Sequence, residues 1–314
     1  MTDASLFGGA GRAAARLLRK RLLAFPRKVQ IETTAACNAN CVMCPHYSIK
    51  RDRGAMDQGL FRRIVDECAS APEGVDELYP FLNGELFLTP GWENYLAYAR
   101  EKLRRTKISL FTNGSLLNGA NAASLLEIGP DHVNVSFDGT DKATYEAVRR
   151  NLRFEEVEEN IRSLVSRRAA LRLARPRITL SIVEMERTAP GIPDFVKRWS
   201  GVVDAVTVEP FNTWTGAVGD LAVPGRPARP RVPCPRLWYN LTVLNSGKAA
   251  LCCLDYEGKV PLGDLNSMSV REVWRGAAAR ELRAAHERGL YAGLTLCENC
   301  DYGKYQAETP FWWV

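Results

Sequence analysis

The sequence predicts an α/β fold in which a partial, six-stranded barrel of β/α units precedes a small, cysteine-rich C-terminal domain. Between residues 29 and 211, short β-rich runs alternate with longer amphipathic runs, which is the pattern of β/α units around a parallel sheet. Residues 216–233 lose that periodicity and are dense in Pro, Gly and Arg, which indicates a linker. Five of the nine cysteines follow this linker, so the rest of the chain is predicted to be a cysteine-rich unit.

The barrel is predicted from six strands with helical segments between them. The strands are predicted at residues 29–34, 77–82, 107–111, 132–137, 177–183 and 205–210. The helices are predicted at residues 60–71, 92–104, 116–128, 154–173 and 192–199. Six units favour a partial, TIM-like (β/α)6 barrel over a closed eight-stranded one. In such barrels the chemistry lies at the C-terminal ends of the strands.

This organisation divides the chain into five regions. They are a basic N-terminal arm or helix (1–28), the barrel (29–215), a linker (216–233), the cysteine-rich domain (234–305) and an aromatic tail (306–314). In the cysteine-rich domain, strands at 238–244 and 249–253 are predicted to form a hairpin. Residues 269–288 are predicted to form one helix, with Ser269 as its N-cap and Glu272 three residues on.

Composition and charge exclude several classes of protein. With 314 residues, 46% of them hydrophobic, the chain can bury a full-sized core, which excludes intrinsic disorder. It carries 42 Lys and Arg against 36 Asp and Glu, and the whole excess lies in the first 28 residues. The balanced remainder lacks the basic face of a nucleic-acid binder. No segment approaches 18 uninterrupted apolar residues, which excludes a membrane span and a signal peptide and predicts a cytoplasmic protein.

The basic arm alternates leucines with cations, so two interpretations are open. It is predicted to be an extra helix packed on the barrel, and the alternative is an amphipathic helix on a membrane surface.

The first cysteine cluster, Cys37-x3-Cys41-x2-Cys44, lies in the loop after the first strand. Three thiolates can hold three irons of a 4Fe-4S cluster and leave the fourth iron open to chemistry. A structural zinc site needs four ligands, and only His46 is near enough in sequence to be the fourth. The spacing and its position resemble the radical S-adenosylmethionine (SAM) superfamily. The residue before the third cysteine is usually aromatic in that family and is Met43 here.

The resemblance implies a SAM site built from strand ends. Asn83-Gly84-Glu85 follows the second strand and is similar to the family's GGE-type motif, which holds the amino group of SAM. The first glycine of that motif is replaced by Asn83. Arg149 is implied as a partner of the SAM carboxylate, although the arginines around it also fit a solvated surface charge. The other residues that the resemblance directs toward SAM are Asn113, Ser136 and Asp138.

The second cluster, Cys234-x17-Cys252-x44-Cys297-x2-Cys300, supplies four thiolates, enough to complete a second 4Fe-4S cluster. It resembles a shortened SPASM domain, the auxiliary-cluster module of many radical SAM enzymes. The shortened form is similar to that of radical SAM dehydrogenases and epimerases of aminocyclitol and aminosugar biosynthesis. A zinc ribbon is the alternative for these cysteines.

Cys253 follows Cys252 directly. If residues 249–253 form a strand, successive side chains point to opposite faces, so only one of the two cysteines can face the cluster. Which one does is left open. The other is a candidate hydrogen donor to a substrate radical, which would give epimerisation, or a thiol that only packs.

These observations predict an oxidoreductase that cleaves SAM to a 5′-deoxyadenosyl radical and uses one SAM-binding and one auxiliary 4Fe-4S cluster. The expected reaction is two-electron oxidation of a carbinol carbon in a small molecule, an aminocyclitol, aminosugar or related secondary metabolite of antibiotic biosynthesis. The expected electron source is a flavodoxin- or ferredoxin-type reductant. The alternatives are an epimerase that uses Cys253, an enzyme that modifies ribosomal peptides, and a zinc-stabilised binding module.

Overall fold

The computed structural model describes residues 9–225, 227 and 231–302, with side chains from residue 17 onward. The predicted aromatic tail and part of the predicted linker lie outside the described residues. The helices are α1 (Gly9–Ala24), α2 (Gln58–Ser70), α3 (Trp92–Lys102), α4 (Gly119–Ile128), α5 (Lys142–Val148), α6 (Phe154–Ala170), α7 (Ile192–Trp199), α8 (Arg236–Tyr239), α9 (Val270–Trp274) and α10 (Ala277–Glu287). The strands are β1 (Lys28–Ile31), β2 (Asn40–Cys41), β3 (Glu77–Tyr79), β4 (Lys107–Thr112), β5 (His132–Ser136), β6 (Arg149–Arg150), β7 (Arg177–Glu184), β8 (Ala205–Pro210), β9 (Asn240–Val243), β10 (Lys248–Ala250) and β11 (Pro261–Asp264).

Six parallel strands form the predicted partial barrel. In the described part of the chain the main sheet has the order β11-β10-β9-β1-β3-β4-β5-β7-β8, in which β1, β3, β4, β5, β7 and β8 are the predicted six. The predicted partial α/β barrel is therefore confirmed. The second strand is shorter than predicted and ends at Tyr79, because Pro80 has no N–H to donate to a neighbouring strand.

The C-terminal hairpin continues the barrel sheet. β9 pairs in parallel with β1, with Lys28 opposite Asn240, and β10 and β11 add antiparallel strands beyond it. All four residues of β9 are buried, as expected for a strand with neighbours on both sides. β1 therefore lies between the barrel and the cysteine-rich segment, and the predicted division between them is not a break in the sheet.

Two predicted elements of the C-terminal segment differ from the structure. The strand predicted to reach residue 253 ends at Ala250, because the chain turns around the buried carboxylate of Asp255. That carboxylate accepts hydrogen bonds from the N–H groups of Lys259 at 2.8 Å and Val260 at 3.0 Å. The single helix predicted at 269–288 is two helices, α9 and α10, because Gly276 between them has an extended backbone (φ −62°, ψ 163°).

The capping box predicted for Ser269 and Glu272 is present at the start of α9. The Ser269 side chain accepts a hydrogen bond from the N–H of Glu272, and the Glu272 side chain accepts one from the N–H of Ser269. Both bonds satisfy N–H donors that have no partner within the first helical turn.

The basic arm forms α1, which packs on the C-terminal helices. Leu22 is 4% exposed, and its carbonyl accepts a hydrogen bond of 2.8 Å from Nε1 of Trp274 in α9. α1 contacts α8 and α9, and Arg21 of α1 donates to the carbonyl of Glu73 in the barrel at 2.7 Å, so the helix packs on the C-terminal helices and also touches the barrel. Within the residues that the structure describes, no helix combines the length and the apolar character needed to cross a bilayer.

Candidate active site

The C-terminal ends of the parallel strands surround a cavity of about 350 Å³, called here the main cavity. It brings together most of the residues singled out in the sequence, although they come from five separate segments. Its walls include Cys37, Cys41, Cys44, Asn83, Gly84, Glu85, Asn113, Ser136 and Arg149. The predicted position of the site is therefore the observed one.

The loop that carries the first three cysteines is fixed by strand pairing. β2 pairs antiparallel with β6, which places Cys41 opposite Arg149. The N–H of Cys44 donates to the carbonyl of Cys41 at 3.1 Å and tightens the turn between them. His46 is buried, and its Nε2 contacts the carbonyl of Ala35 at 2.7 Å, so this ring supports the loop.

The three thiols lie in surroundings that disfavour free thiolates. Burial raises the pKa of Cys37 to about 11 and that of Cys44 to about 12. Burial also raises the pKa of Cys41, against the effect of Arg149, whose Nη1 lies 3.6 Å from the Cys41 sulfur. Thiolates here need cationic partners, and iron ions supply that charge. Three thiols on one wall of a cavity fit the three protein-bound irons of a SAM-binding 4Fe-4S cluster.

Gly84 allows the GGE-like segment to pack against the cysteine loop. A Cβ at this position would overlap the carbonyl oxygen of Thr34 and lie 2.8 Å from that of Ala36. The close approach that requires glycine at this position is therefore made to the backbone of the cysteine loop.

Asn83 presents a free acceptor in the same wall. Its Nδ2 donates to Glu32 at 3.3 Å, while its buried Oδ1 has no hydrogen-bond partner. A buried amide oxygen without a donor is rare in folded proteins. It fits the ammonium group of SAM, which is the group that the sequence assigned to this motif.

Glu85 is held by the end of β4. Its two carboxylate oxygens accept from Thr112 Oγ1 at 2.7 Å and from the Asn113 N–H at 2.8 Å. Burial raises the pKa of Glu85. The Asn113 side chain donates to Asn38 of the cysteine loop at 2.8 Å, so β4, the GGE-like segment and the loop form one connected unit.

Arg149 and Asp138 form a buried ion pair behind the first cysteines. Asp138 is fully buried and accepts from Arg149 Nε at 2.6 Å and from the N–H of Val183. The Arg149 side chain is only 12% exposed, so its interpretation as a solvated surface charge is wrong. Arg149 lines the main cavity, whereas Asp138 stands behind it and is not among the described residues of the wall.

Glu32 was missed in the sequence and connects three segments. It is fully buried at the end of β1, and its carboxylate pairs with Arg51 at 2.7 Å and accepts from Asn83 and from the N–H of Asn245 at 3.0 Å. Asn245 is in the turn of the C-terminal hairpin. The sequence signal that could have identified Glu32 is a carboxylate directly after a predicted strand. Its three partners are remote in sequence, so its role could not be inferred from its neighbours.

The remaining cysteines form a second site, called here the auxiliary cavity. This apolar space of about 30 Å³ is lined by all four predicted ligands, Cys234, Cys252, Cys297 and Cys300. Burial raises the pKa of Cys234 to about 11 and that of Cys297 to about 12. In the described residues no group of three or more His, Cys, Asp or Glu side chains is arranged to hold a single metal ion. The four thiols fit a cluster in which each cysteine binds a different iron.

Cys253 is separated from the auxiliary cavity and contacts Arg236. Nη1 of Arg236 donates to the Cys253 sulfur at 2.6 Å, and Cys253 is not among the described residues that line the auxiliary cavity. The geometry therefore selects Cys252 as the residue that faces the other three cysteines. The two side chains diverge because they lie in a turn, and the strand alternation used in the sequence argument does not apply there.

Arg236 was also missed in the sequence, and it links the two sites. It is in α8, two residues after Cys234, and its guanidinium reaches the wall of the main cavity. It also lies 4.1 Å from the ring centre of Tyr302. Arg236 therefore connects the main cavity with Cys253 and with the segment that carries Cys234.

Two family models match the segments that contain the two cysteine sites. Residues 31–169 match the radical SAM superfamily, and residues 234–301 match SPASM, an iron-sulfur cluster-binding domain. The S-adenosyl-L-methionine-dependent 2-deoxy-scyllo-inosamine dehydrogenase of Niallia circulans is 22% identical over 287 residues, 91% of this chain and 97% of that protein. The crystal structure of BtrN in complex with AdoMet and 2-DOIA has a TM-score of 0.63 at 17% identity, and the match covers 90% of this chain and 96% of that one. The latter likeness shows the fold.

Other relatives match over a shorter part of their length. The tungsten-containing aldehyde ferredoxin oxidoreductase cofactor-modifying protein of Pyrococcus furiosus is 28% identical over 57% of this chain, which spans 49% of that protein. The probable GTP 3′,8-cyclase of Methanothermobacter thermautotrophicus is 29% identical over 44% of this chain, which spans 43% of it. This chain spans about half the length of these two relatives. This chain therefore carries a radical SAM domain and a SPASM domain, whose cofactors are SAM and 4Fe-4S clusters.

Proposed function

We propose that this enzyme oxidises a carbinol carbon of an aminocyclitol, aminosugar or related small molecule to a ketone. The observation that carries the proposal is that the first three cysteines and Arg236 line one cavity, while Arg236 follows Cys234 of the auxiliary cavity by two residues. A net two-electron oxidation started by a radical needs an electron source on one side of the substrate and an electron acceptor near it. The relative that matches along 97% of its own length is a dehydrogenase of this kind, which supports the same assignment.

The bound cofactors supply the redox chemistry: one 4Fe-4S cluster gives the electron that breaks the sulfonium C–S bond of SAM, and the other accepts one electron. One SAM and one carbinol then give methionine, 5′-deoxyadenosine, a ketone and one proton, with one electron taken in and one released. The chain's own residues hold and orient the reactants. Cys37, Cys41 and Cys44 bind the first cluster, and Asn83 Oδ1 accepts from the SAM ammonium.

Arg149 and Glu85 contribute by holding the groups around SAM in place and take no chemical part in the reaction. Asp138 fixes the Arg149 guanidinium in the wall of the main cavity, where it is available to the SAM carboxylate. Thr112 and the Asn113 N–H fix Glu85 behind the cysteine loop. These buried contacts orient SAM before it reacts and exclude water from the radical's surroundings.

The second candidate function is epimerisation with Cys253 as hydrogen donor. It is favoured by one observation, the position of Cys253 outside the four-cysteine cavity and next to Arg236, which lines the main cavity. Oxidation is preferred because the Cys253 sulfur is engaged by a guanidinium, and a hydrogen donor must instead direct a free S–H at the substrate.

The test uses anaerobically reconstituted protein, dithionite, SAM and 2-deoxy-scyllo-inosamine or a panel of aminosugars in deuterated water. Oxidation predicts about eight iron per chain, a ketone product, 5′-deoxyadenosine in equal amount, and no deuterium at the carbinol carbon. The Cys253→Ala variant should keep this activity. Deuterium at an inverted carbon, lost in Cys253→Ala, would establish the epimerase instead. Zinc in place of iron would reject both.

A further inference from the structure

A basic groove lies between α1 and the C-terminal helices, away from both cysteine sites. It has a volume of about 610 Å³ and an apolar floor that includes Leu23 and Ala284. Its charged lining residues are Arg19, Lys20, Arg275, Arg280, Arg283 and Glu287. Among the described residues that line it, five cations therefore face one carboxylate. Part of the excess charge noted in the basic arm is thus combined here with cations from the other end of the chain.

The positive charge of the groove is compensated in part by carboxylates of the described residues, Glu287 and Glu73. Its carboxylate, Glu287, pairs with Arg19. Arg283 is 5% exposed and donates to the carbonyls of Leu237 at 2.7 Å and Trp274 at 2.9 Å, which are neutral groups. Burial lowers the pKa of Arg283 to about 10, and Glu287 opposes that effect. Among the described residues, an anionic partner in the groove would therefore meet a net positive charge that Glu287 and Glu73 offset only in part.

The groove and the auxiliary cavity lie on two sides of α10. His286 lines the auxiliary cavity, and its Nδ1 accepts from the N–H of Cys234 at 3.2 Å. Arg280 and Ala284 of the same helix line the groove. A helix with its side chains is roughly 10–12 Å across. The groove is therefore about one helix diameter from the auxiliary cysteines, a short distance for electron transfer.

We propose that the basic groove is the docking surface for an acidic one-electron carrier protein of the flavodoxin or ferredoxin class. This inference rests on the proposed function, which takes in and releases one electron in each turnover. Charge complementarity selects an acidic partner, and an apolar floor inside a charged rim is the usual composition of a protein–protein interface. The position beside the auxiliary cysteines selects a redox protein over other anionic macromolecules.

The experiment measures binding of an acidic flavodoxin to the reconstituted full chain by fluorescence titration at several salt concentrations. The test variant is Arg275→Glu/Arg280→Glu, whose two side chains are exposed on the C-terminal wall. The control is Arg172→Glu/Lys197→Glu, which makes the same change in net charge at exposed positions near the other edge of the sheet. We expect the test variant to weaken binding about tenfold or more and the control to bind like wild type. Lys20→Glu, on the α1 wall, should weaken binding in the same direction.

Dithionite-driven SAM cleavage separates this inference from the proposed function. All variants should keep it, because dithionite needs no docking surface. If wild type cleaves SAM with dithionite but does not bind flavodoxin, or if test and control variants lose affinity equally, the docking inference is overturned and the function stands. Competition for the groove by tRNA or by phosphatidylserine vesicles, without flavodoxin binding, would also overturn it. No SAM cleavage by wild type would reject the function itself.

Discussion

The two cysteine sites of this enzyme are built in different ways. The first takes its three cysteines from one loop of eight residues, which β2–β6 pairing and the hydrogen bond from Asn113 to Asn38 fix in place. The second collects four cysteines from three separate segments, the start of α8, the turn after β10 and the region beyond α10. The first site is therefore organised by local contacts around one loop, and the second depends on the packing of the whole C-terminal segment.

Because the two sites are built differently, the residues that support each site are of different kinds. Around the first site, buried polar side chains such as Asp138 and Glu85 hold the loop against the strand ends. Around the auxiliary cavity, apolar residues such as Leu237 and Leu251 dominate, and Arg236 is the charged link to the main cavity. Substitutions near one site should therefore leave the other intact.

Loss of a cysteine should give the largest effects and separate the sites most clearly. We expect Cys41→Ser to reduce SAM cleavage to the rate without enzyme, because one iron of the open cluster loses its ligand. Cys297→Ser should keep dithionite-driven SAM cleavage and lose ketone formation. The measurements are 5′-deoxyadenosine and ketone yields with iron content. Cys68→Ala, in α2 and in neither site, should keep both activities. Equal losses for Cys41→Ser and Cys297→Ser would mean that the sites are not independent.

Removal of the carboxylate behind Arg149 should destabilise the protein strongly. Asp138→Asn leaves a buried guanidinium without its counter-charge, which costs about 3–5 kcal/mol of unfolding free energy. Urea unfolding measures this cost. The control Glu155→Gln breaks an exposed pair with Lys142 and should change stability little. A stability of Asp138→Asn equal to that of the control would show that the buried pair does not hold the first site.

A methyl group at Gly84 should affect the first site alone. Gly84→Ala pushes the GGE-like segment away from the Thr34 and Ala36 carbonyls, and displacements of about 1 Å can cost about 10²-fold in rate. We expect that loss in SAM cleavage, with the iron of the auxiliary site retained. Gly219→Ala adds the same methyl group where no atom lies within 4 Å and should behave like wild type. Loss of auxiliary iron in Gly84→Ala would contradict the independence of the two sites.

The same difference explains what could be predicted from the sequence. Most candidate residues of the first site could be singled out from the sequence because its cysteines lie in one loop and its other residues follow strands, whose ends a parallel barrel brings together. Glu32 and Arg236 were missed because their partners are remote: Asn245 lies 213 positions from Glu32. The break at Gly276 and the turn at Cys252 were missed because local periodicity does not show which buried groups the chain must satisfy.

The smallest predicted effect is a change in the free energy of unfolding, and it concerns the contact between the barrel and the C-terminal helices. Glu73, in the loop before β3, accepts two hydrogen bonds of 2.8 Å from Arg271 in α9, and these lower the pKa of Glu73 to about 2. A lowered pKa stabilises the fold above the unfolded value of 4.5 and loses that contribution as pH falls toward 2. The Glu73 side chain is 17% exposed and that of Arg271 36%, so the pair is half-buried, and Glu73→Gln should lower the unfolding free energy by about 1 kcal/mol at pH 7. The difference from wild type in urea unfolding should shrink as the pH falls below 4.5. A difference that stays constant with pH would assign the effect to packing of the side chain and not to its charge.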